Sequence, residues 1–477
     1  MTHTVEKIGG TSIADSEAAL NNVFLPKGRN GDPYNRIFVV SAYAGMTNEL
    51  LEDKKSKDPG VYTLYSHSES DWAWGDALTK VCRRMIEKNE EIFTDPGVRE
   101  PANQFVLERI EGVRSCLIDL QRLCSYGHFH LGEHMMTVRE MLSALGEAHS
   151  AFNTALLLRM HGVEARFVDL TGWRDDKPRT LEERIDIGLK GIDFEAELPI
   201  VTGYTQCHSG LFREYGRGYT EVTFSHVAAR TGASEAIIHK EYHLSSADPL
   251  IVGEDKVQKI GNTNYDVADQ LSNMGMEAVH PRAAKVLRQA EIPLRIRNTF
   301  DPDDPGTVIR QDYVSDEPCV EIVTGCRSVL AIKLFDQDIV GVKGIDRRIV
   351  QALEDNRLRI VTKDMNANTV THFVTGTLSR ARHAIAELER LFPHADIDLR
   401  RVGLVSVIGS DLNRPGLLAD TVGCLHEGGI DVIALHQGMR QVDIQIIVDE
   451  GDYDGTIRVL HERLVENRDT VGDRNAA

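Results

Sequence analysis

The stretch Val5-Glu6-Lys7-Ile8-Gly9-Gly10-Thr11-Ser12 decides how this chain is read. It predicts a short strand, a tight turn, and then an acidic, helix-starting run, Ala14-Asp15-Ser16-Glu17. Glycine accepts positive φ, so Gly9 and Gly10 can turn their N–H groups into one concavity. Thr11 and Ser12 add hydroxyl donors, and Lys7 aims an ammonium at the same point. That set of groups suits a phosphate. A plain strand–turn–helix explains the same letters equally well, so residues elsewhere must break the tie.

Working outward, Arg36–Ala42 (RIFVVSA) reads as a buried strand followed by a glycine-containing loop, YAGMTN. Met141–Gly162 repeats apolar residues at helical spacing and stops at a glycine. Val163–Leu170, Leu198–Tyr204 and Glu235–Glu241 read as further strands. Strands alternating with helices predict an α/β class with a mostly parallel sheet sandwiched by helices. The polar stretch 51–131 is expected to be a helical insertion or lid, with a solvated elaboration as the alternative. Asn298–Thr307 (NTFDPDDPGT) resists both helix and strand and marks a boundary. Beyond Val320 the order β-α-β-β-α-(β) occurs twice, about 70 residues each time, which points to a duplicated α+β binding module. The expected domains are therefore 1–310, 320–400 and 401–470.

Composition narrows the classes. The chain has 477 residues, 42% hydrophobic and 27% charged, as a large globular protein would. A net charge of −19 argues against nucleic acid and against an anionic membrane surface as partners. Seven cysteines, none in a C-x-x-C pair, are expected to be reduced thiols in a cytoplasm. No signal peptide and no membrane span are expected.

The common phosphate motifs are missing. No Gly-Lys dipeptide occurs, so there is no G-x-x-x-x-G-K-[ST] loop. Gly216-Arg217-Gly218 begins a G-x-G-x-x-G, but Glu221 replaces the third glycine. No histidine cluster with metal-ligand spacing is found, and His280 is expected to order a turn.

Other motifs decide. They are VVSAYAGMTN (39–48), GEHMMT (132–137), YGRGYTEVT (215–223), SSADP (245–249), GMEAVHPRAAKVL (275–287) and IPLRIRNTFDPDDPGT (292–307). In this order, followed by the duplicated module, they resemble the aspartate kinases of the amino acid kinase family, and the module resembles their tandem ACT domains (βαββαβ). HKEYHLSSADP and TNYDVADQLSNMGMEAVHP resemble the subgroup associated with ectoine synthesis.

The resemblance implies transfer of the γ-phosphoryl group of ATP, carried with Mg²⁺, to the β-carboxylate of L-aspartate. It implies catalytic roles for Lys7 and Glu221 and phosphate binding by Gly9, Gly10, Thr11 and Gly218. Ser41, Thr47, Glu133, Arg217 and Thr220 would bind the substrate. His239, Lys240, Asp248 and Glu277 would bind the nucleotide. In the second ACT unit Asp411, Asn413, Pro415 and Asp420 would hold an amino-acid effector, threonine or lysine. A homo-oligomer, dimer or larger, would form through the ACT units. No protein-held metal is implied.

The chain departs from the family where Gly216-Arg217-Gly218-Tyr219-Thr220-Glu221 stands for the usual G-R-G-G-S-D. His239-Lys240 replaces a frequent Thr-Asp, and Glu277 a frequent lysine; a charge exchange between Lys240 and Glu277 and independent drift are equally open. Arg440-Gln441 stands where lysine-sensitive relatives commonly carry Ser-Glu, which weakens the case for lysine. Two alternatives stay open: a kinase of glutamate or acetylglutamate, and a non-catalytic ACT sensor.

Overall fold

Thr4–Ile8 (β1) lies between two parallel neighbours, Arg36–Val40 (β2) and Glu235–Lys240 (β5). Ala165–Val168 (β3) and Leu198–Thr202 (β4) extend the sheet beyond β2. A short strand, Asn262–Asn264 (β6), belongs to a second unit. Leu294–Asn298 (β7) and Thr307–Arg310 (β8) follow β5 on the other side. The order within the first unit is thus β3-β4-β2-β1-β5-β7-β8, and of these pairs β7–β8 is antiparallel. Apolar runs such as Ile37–Val40 suit a sheet covered on both faces. The computed structural model describes residues 2–26, 32–54, 56–67, 72–276, 278–340 and 342–467. Among them no helix is long and apolar enough to cross a membrane.

Glu6 sits in the middle of β1 at 1% exposure. It is tolerated because Arg36 grips both of its oxygens, at 2.7 Å each, and because His239 Nε2 lies 2.7 Å from Oε2. Arg36 also donates to the carbonyls of Val23 and Phe24. Burial alone would raise the Glu6 carboxyl, but the guanidinium and the imidazole hold it well below the usual range.

The stretch expected to be a lid is a packed layer. Helices Trp72–Ile92 and Pro96–Cys124 lie with the long helix Leu131–Met160 around Tyr65, Trp74, Leu78, Val81, Met85, Ile110 and Leu142. The Tyr65 hydroxyl closes this core by donating to Leu117 O at 2.9 Å.

Contacts place residues up to His243, with Val279–Gln311, in one compact unit, and Leu244–Ala278, with Asp312 onward, in the other. The end of the first unit lies one residue from the expected 310, and segment 244–278, expected within it, falls in the second unit. Ser246 is fully buried in the second unit, 2.8 Å from His461 Nε2, and accepts from Gln258 N; Glu466 lies 2.9 Å from His461 Nδ1. Although this looks like a Ser–His–Glu triad, its hydroxyl is closed to any substrate. It is a strut that fastens the 244–278 segment to the second core.

That second unit is built on one antiparallel sheet. Its strands are Ile322–Phe335 (β9), Arg359–Met365 (β10), Thr369–Thr375 (β11), Asp396–Ile408 (β12), Val432–Gln437 (β13) and Asp443–Asp449 (β14), in the order β10-β11-β9-β12-β14-β13. The two modules expected as separate domains share β9 and β12, which pair from Asp396↔Phe335 to Ile408↔Ile322. One end of that pair packs on Ile349, Leu353 and Leu388, the other on Leu425, Ile457 and Leu460.

Removing one partner of a buried ion pair strands the other charge. Arg36→Met should therefore destabilise the protein by about 3–5 kcal/mol, read as a lower urea midpoint; an unchanged midpoint would show that Glu6 is not held this way. Burial also takes the His149 imidazole down to about 3, with the Lys88 charge adding to the effect. The unfolded chain then takes up a proton that the fold refuses, so stability should fall as pH drops from about 6.5 toward 3. His149→Gln should flatten that part of a pH series of unfolding midpoints.

Candidate active site

Side chains alternate along a strand, so neighbours point to opposite faces. The register sets Ile8 beside His239 and Lys7 beside Ile238. Glu6 and His239 consequently share one face, while Lys7 and Lys240 share the other. Lys7 is 9% exposed and Lys240 8%. The carboxylate that meets them is Glu221, in the first turn of helix Tyr219–Thr231. Lys7 Nζ donates to Glu221 Oε1 at 3.3 Å, and the His280 amide donates to Oε2 at 2.5 Å. Burial pushes the Glu221 carboxyl up, yet Lys7, Lys240 and the His280 amide together hold it below its ordinary value. Lys240 also reaches the Tyr242 hydroxyl at 3.3 Å.

A second carboxylate completes the cluster. Glu147, in helix Leu131–Met160, is 2% exposed and accepts from Thr220 Oγ1 at 2.6 Å. Burial pushes its carboxyl up to about 8, against the pull of the Thr220 hydroxyl and the Lys7 charge. Its Oε2 has no hydrogen-bond partner among the described residues. A Cβ on Gly203 would come within 2.7 Å of that oxygen, so glycine there keeps the carboxylate's place open. Tyr219, buried against Tyr204, turns its hydroxyl to Thr47 and Glu147.

The glycines work through space more than through φ. Gly9 has φ −72, and Gly10 is not among the positive-φ residues. A Cβ on Gly10 would lie 2.6 Å from Ala42 O, which would drive the turn after β1 and the Ala42 loop apart. Gly218 is held by the His280 ring, which its Cβ would meet at 2.2 Å. Thr11 is exposed, while Ser12 Oγ is buried with no partner among the described residues. The Ser41 carbonyl is held by Ser150 Oγ at 2.8 Å. Arg217 Nη1 donates to Asn48 Oδ1 at 2.6 Å, Nη2 donates to Glu52 O, and the Glu52 carboxylate lies 3.5 Å away. The fork is thus fixed to the helix Met46–Leu50 that carries Thr47, and to the turn after it.

Other expected site residues lie elsewhere. Glu133 is exposed in the first turn of its helix, fourteen residues before Glu147, or about 21 Å of helix axis. The Gly-Glu pair that enters the cluster is Gly146-Glu147. The sequence signal was available: Glu147 sits within an apolar helical run, Glu133 at a polar helix start. His239 is turned to Glu6, away from the lysines. Asp248, in the second unit, caps helix Pro249–Val252 through Leu250 N. Glu277 lies outside the described residues. In the second unit Asp411 accepts from Asn413 N at 2.8 Å, and Asp420 pairs with Arg414 at 2.6 Å. Pro415 precedes helix Leu417–Glu427 instead of entering it.

His280 caps helix Pro281–Gln289, an ordering role. His243, Asp301 and Asp304 bring ligand-type atoms within 4.8 Å of one another. His243–Asp301 and Gly306 N–Asp304 hydrogen bonds, at 3.0 and 2.8 Å, account for that grouping. A cavity of about 540 Å³ beside Met141, Leu145, Trp173, Tyr204 and Cys207 holds none of the cluster side chains.

The amino acid kinase family matches residues 3–298. The chain belongs to that family. It is 52% identical over 464 residues to the aspartate kinase Ask_Ect of Stutzerimonas stutzeri, covering 97% of this chain and 98% of that one. The aspartokinase of Candida albicans is 23% identical over 525 residues, 99% of this chain and 92% of that one. Among solved structures, this kinase superposes on Escherichia coli aspartokinase III in complex with lysine and aspartate, with TM-score 0.74 at 17% identity, over 97% and 99% of the two chains. The same enzyme with aspartate and ADP gives 0.69 at 17% identity, over the same shares.

The kinase's Glu147 should titrate near pH 8 in the ligand-free protein, measured by ¹³C NMR of labelled glutamate carboxyls. Thr220→Val removes a hydrogen bond to the ionised form and should move that midpoint up; a midpoint near 4.5 would contradict the assigned environment.

Proposed function

We propose that this kinase phosphorylates the β-carboxylate of L-aspartate with ATP. The observation that carries the reading is the buried cluster of Lys7, Lys240, Glu221, Glu147 and Thr220 at the end of β1, in a chain 52% identical to an aspartate kinase. The acceptor carboxylate has a pKa near 4, so it is already a nucleophile at pH 7 and needs no base. What opposes reaction is repulsion between two anions, so the site must supply position and positive charge.

Lys7 offsets charge developing on the transferred phosphoryl group, with Gly10 and Thr11 as backbone and hydroxyl donors; the Gly9 amide, expected to join them, is instead spent on His239 O at 3.2 Å. Glu221 fixes the Lys7 ammonium and is itself fixed by the His280 amide. Glu147, with one oxygen bound to Thr220 and the other without a partner among the described residues, receives the substrate ammonium in the role first given to Glu133. Arg217 takes a substrate carboxylate through donors not used on Asn48 and Glu52. Lys240 lies on the Lys7 face and serves the nucleotide phosphates.

Magnesium is a partner of the nucleotide in this reading. The cluster's two carboxylates are flanked by lysines and hydroxyls, so they form no oxygen cage, and phosphate oxygens with water would hold the ion. The ion supplies charge neutralisation when bound. That E. coli aspartokinase III was solved with aspartate and ADP, and separately with lysine, supports a nucleotide and an amino-acid effector here. The effector would bind the second unit, threonine or lysine being the candidates, and copies of the chain would associate through that unit in a cytoplasmic homo-oligomer. The subgroup resemblance supports supply of phosphoaspartate to ectoine or aspartate-family synthesis.

An aspartyl-hydroxamate assay tests the reading. Wild type should turn over aspartate and not glutamate. Lys7→Ala should lower kcat by about 10²–10³. Arg217→Lys, which loses the planar fork, should raise KM for aspartate about tenfold with a smaller change in kcat. Turnover that survives Lys7→Ala would overturn the assignment, and wild type inactive with aspartate would favour the sensor alternative.

A further inference from the structure

The phosphate loop and the acceptor loop must keep a fixed separation if one phosphoryl group is to pass between their ligands. Two backbone bonds link them directly, Ala44 N to Gly10 O at 3.1 Å and Ser41 N to Ile8 O at 3.3 Å. Beside them lies a space of about 260 Å³, bordered by Ala14, Tyr43, Ala44, Met46, Arg84 and Lys88. Ile13 and Tyr43 pack in one buried cluster, and polar ties across this space add to that contact.

Those ties come from one helix of the 51–131 layer, Trp72–Ile92. Lys88 Nζ donates to Ala14 O at 2.9 Å, at the end of the short helix Gly10–Ala14 that follows the glycines. The same ammonium lies 5.5 Å from the centre of the Tyr43 ring, on the acceptor side, and is steadied by Glu91 at 2.8 Å. One turn earlier, Arg84 donates to Ala44 O at 3.2 Å and pairs with Glu49, in the helix that carries Thr47. Its guanidinium lies beside Gly45, whose φ of +83 and 3.0 Å clearance for a Cβ leave room for glycine alone. One residue after Lys88, the buried Asn89 bonds His149 and Asn153 at 2.7 Å each, which fixes the helix to the element bearing Glu147.

We propose that Lys88 and Arg84 are positioning residues for phosphoryl transfer, bracing the Gly9–Ala14 loop and the Ser41–Asn48 loop at the distance the reaction needs. The inference rests on the kinase reading above and extends it to a helix that touches neither substrate. Lys88 links the two loops by a single ammonium, so its loss leaves each ligand site locally intact and changes their relation. Arg84 sets the acceptor loop alone. The layer expected as a lid or an elaboration is then a brace.

The test is steady-state kinetics of the full chain in the hydroxamate assay, with Lys88→Met and Lys88→Arg. Met keeps the length of the side chain and removes the charge. Misplacement of reacting groups by an ångström costs up to about 10²-fold. Lys88→Met should lower kcat about tenfold or more, with each KM changed less than about threefold, because the loss is in relative position. Lys88→Arg should recover most of the lost rate, and both variants should melt within a few degrees of wild type. A wild-type kcat in Lys88→Met would overturn the brace. So would a slow Lys88→Arg, or a rate loss that follows a falling Tm, since either reduces Lys88 to packing. Failure of the kinase reading looks different: wild type itself would then fail to turn over aspartate.

Discussion

Two adjacent residues of one central strand, Glu6 and Lys7, are both charged and both buried. A charge cannot stay buried without an opposite charge or several hydrogen bonds, since isolated burial costs several kcal/mol. A strand also forbids the two from answering each other, because it turns them to opposite faces. Each therefore recruits its own partners. On one face Arg36 and His239 enclose Glu6, and the sheet gains an ordered centre. On the other, Glu221 meets Lys7, and helix Tyr219–Thr231 brings Thr220 and through it Glu147. The stabilising half and the proposed reacting half of the first unit are two sides of the same five-residue strand.

This division explains which parts of the site could be read from the sequence. Lys7, Gly9, Gly10, Arg217, Thr220 and Glu221 sit in local motifs, and local motifs survive as strings. His239 was misread, although alternation from Glu6 and the parallel register would have placed it on the structural face. Glu147, proposed as the seat of the substrate ammonium, was passed over because one Gly-Glu pair was chosen over another, and no string-level rule ranks them. Burial does: a glutamate in the middle of an apolar helical run must find a polar partner, and that partner is Thr220. At Gly10 it is the close approach of Ala42 O, and not a positive φ, that calls for glycine.

What the sequence did not show lies in contacts that sequence distance hides. Segment 244–278 lies between two kinase strands in the chain, yet its buried Ser246 bonds His461, more than 200 residues later. The repeat of β-α-β-β-α order was legible after Val320, and so was an α+β class. Fusion into one sheet was not, because it depends on β9 beginning at Ile322, ahead of its most apolar part, and running 14 residues beside β12. Each half of that long pair serves a different core, which is how a duplication yields one unit and not two.

The central claim is that the buried Glu147 carboxylate, kept protonated near neutral pH by its surroundings, is the seat of the substrate ammonium. An ammonium at Oε2 must return the carboxyl to its ionised form, so binding has to expel the proton. Isothermal titration of aspartate into the protein at pH 7, in two buffers of different ionisation enthalpy, measures this directly. Release of nearly one proton per site, abolished in Glu147→Gln, is the result the account predicts. Aspartate binding with the same apparent enthalpy in both buffers would contradict it.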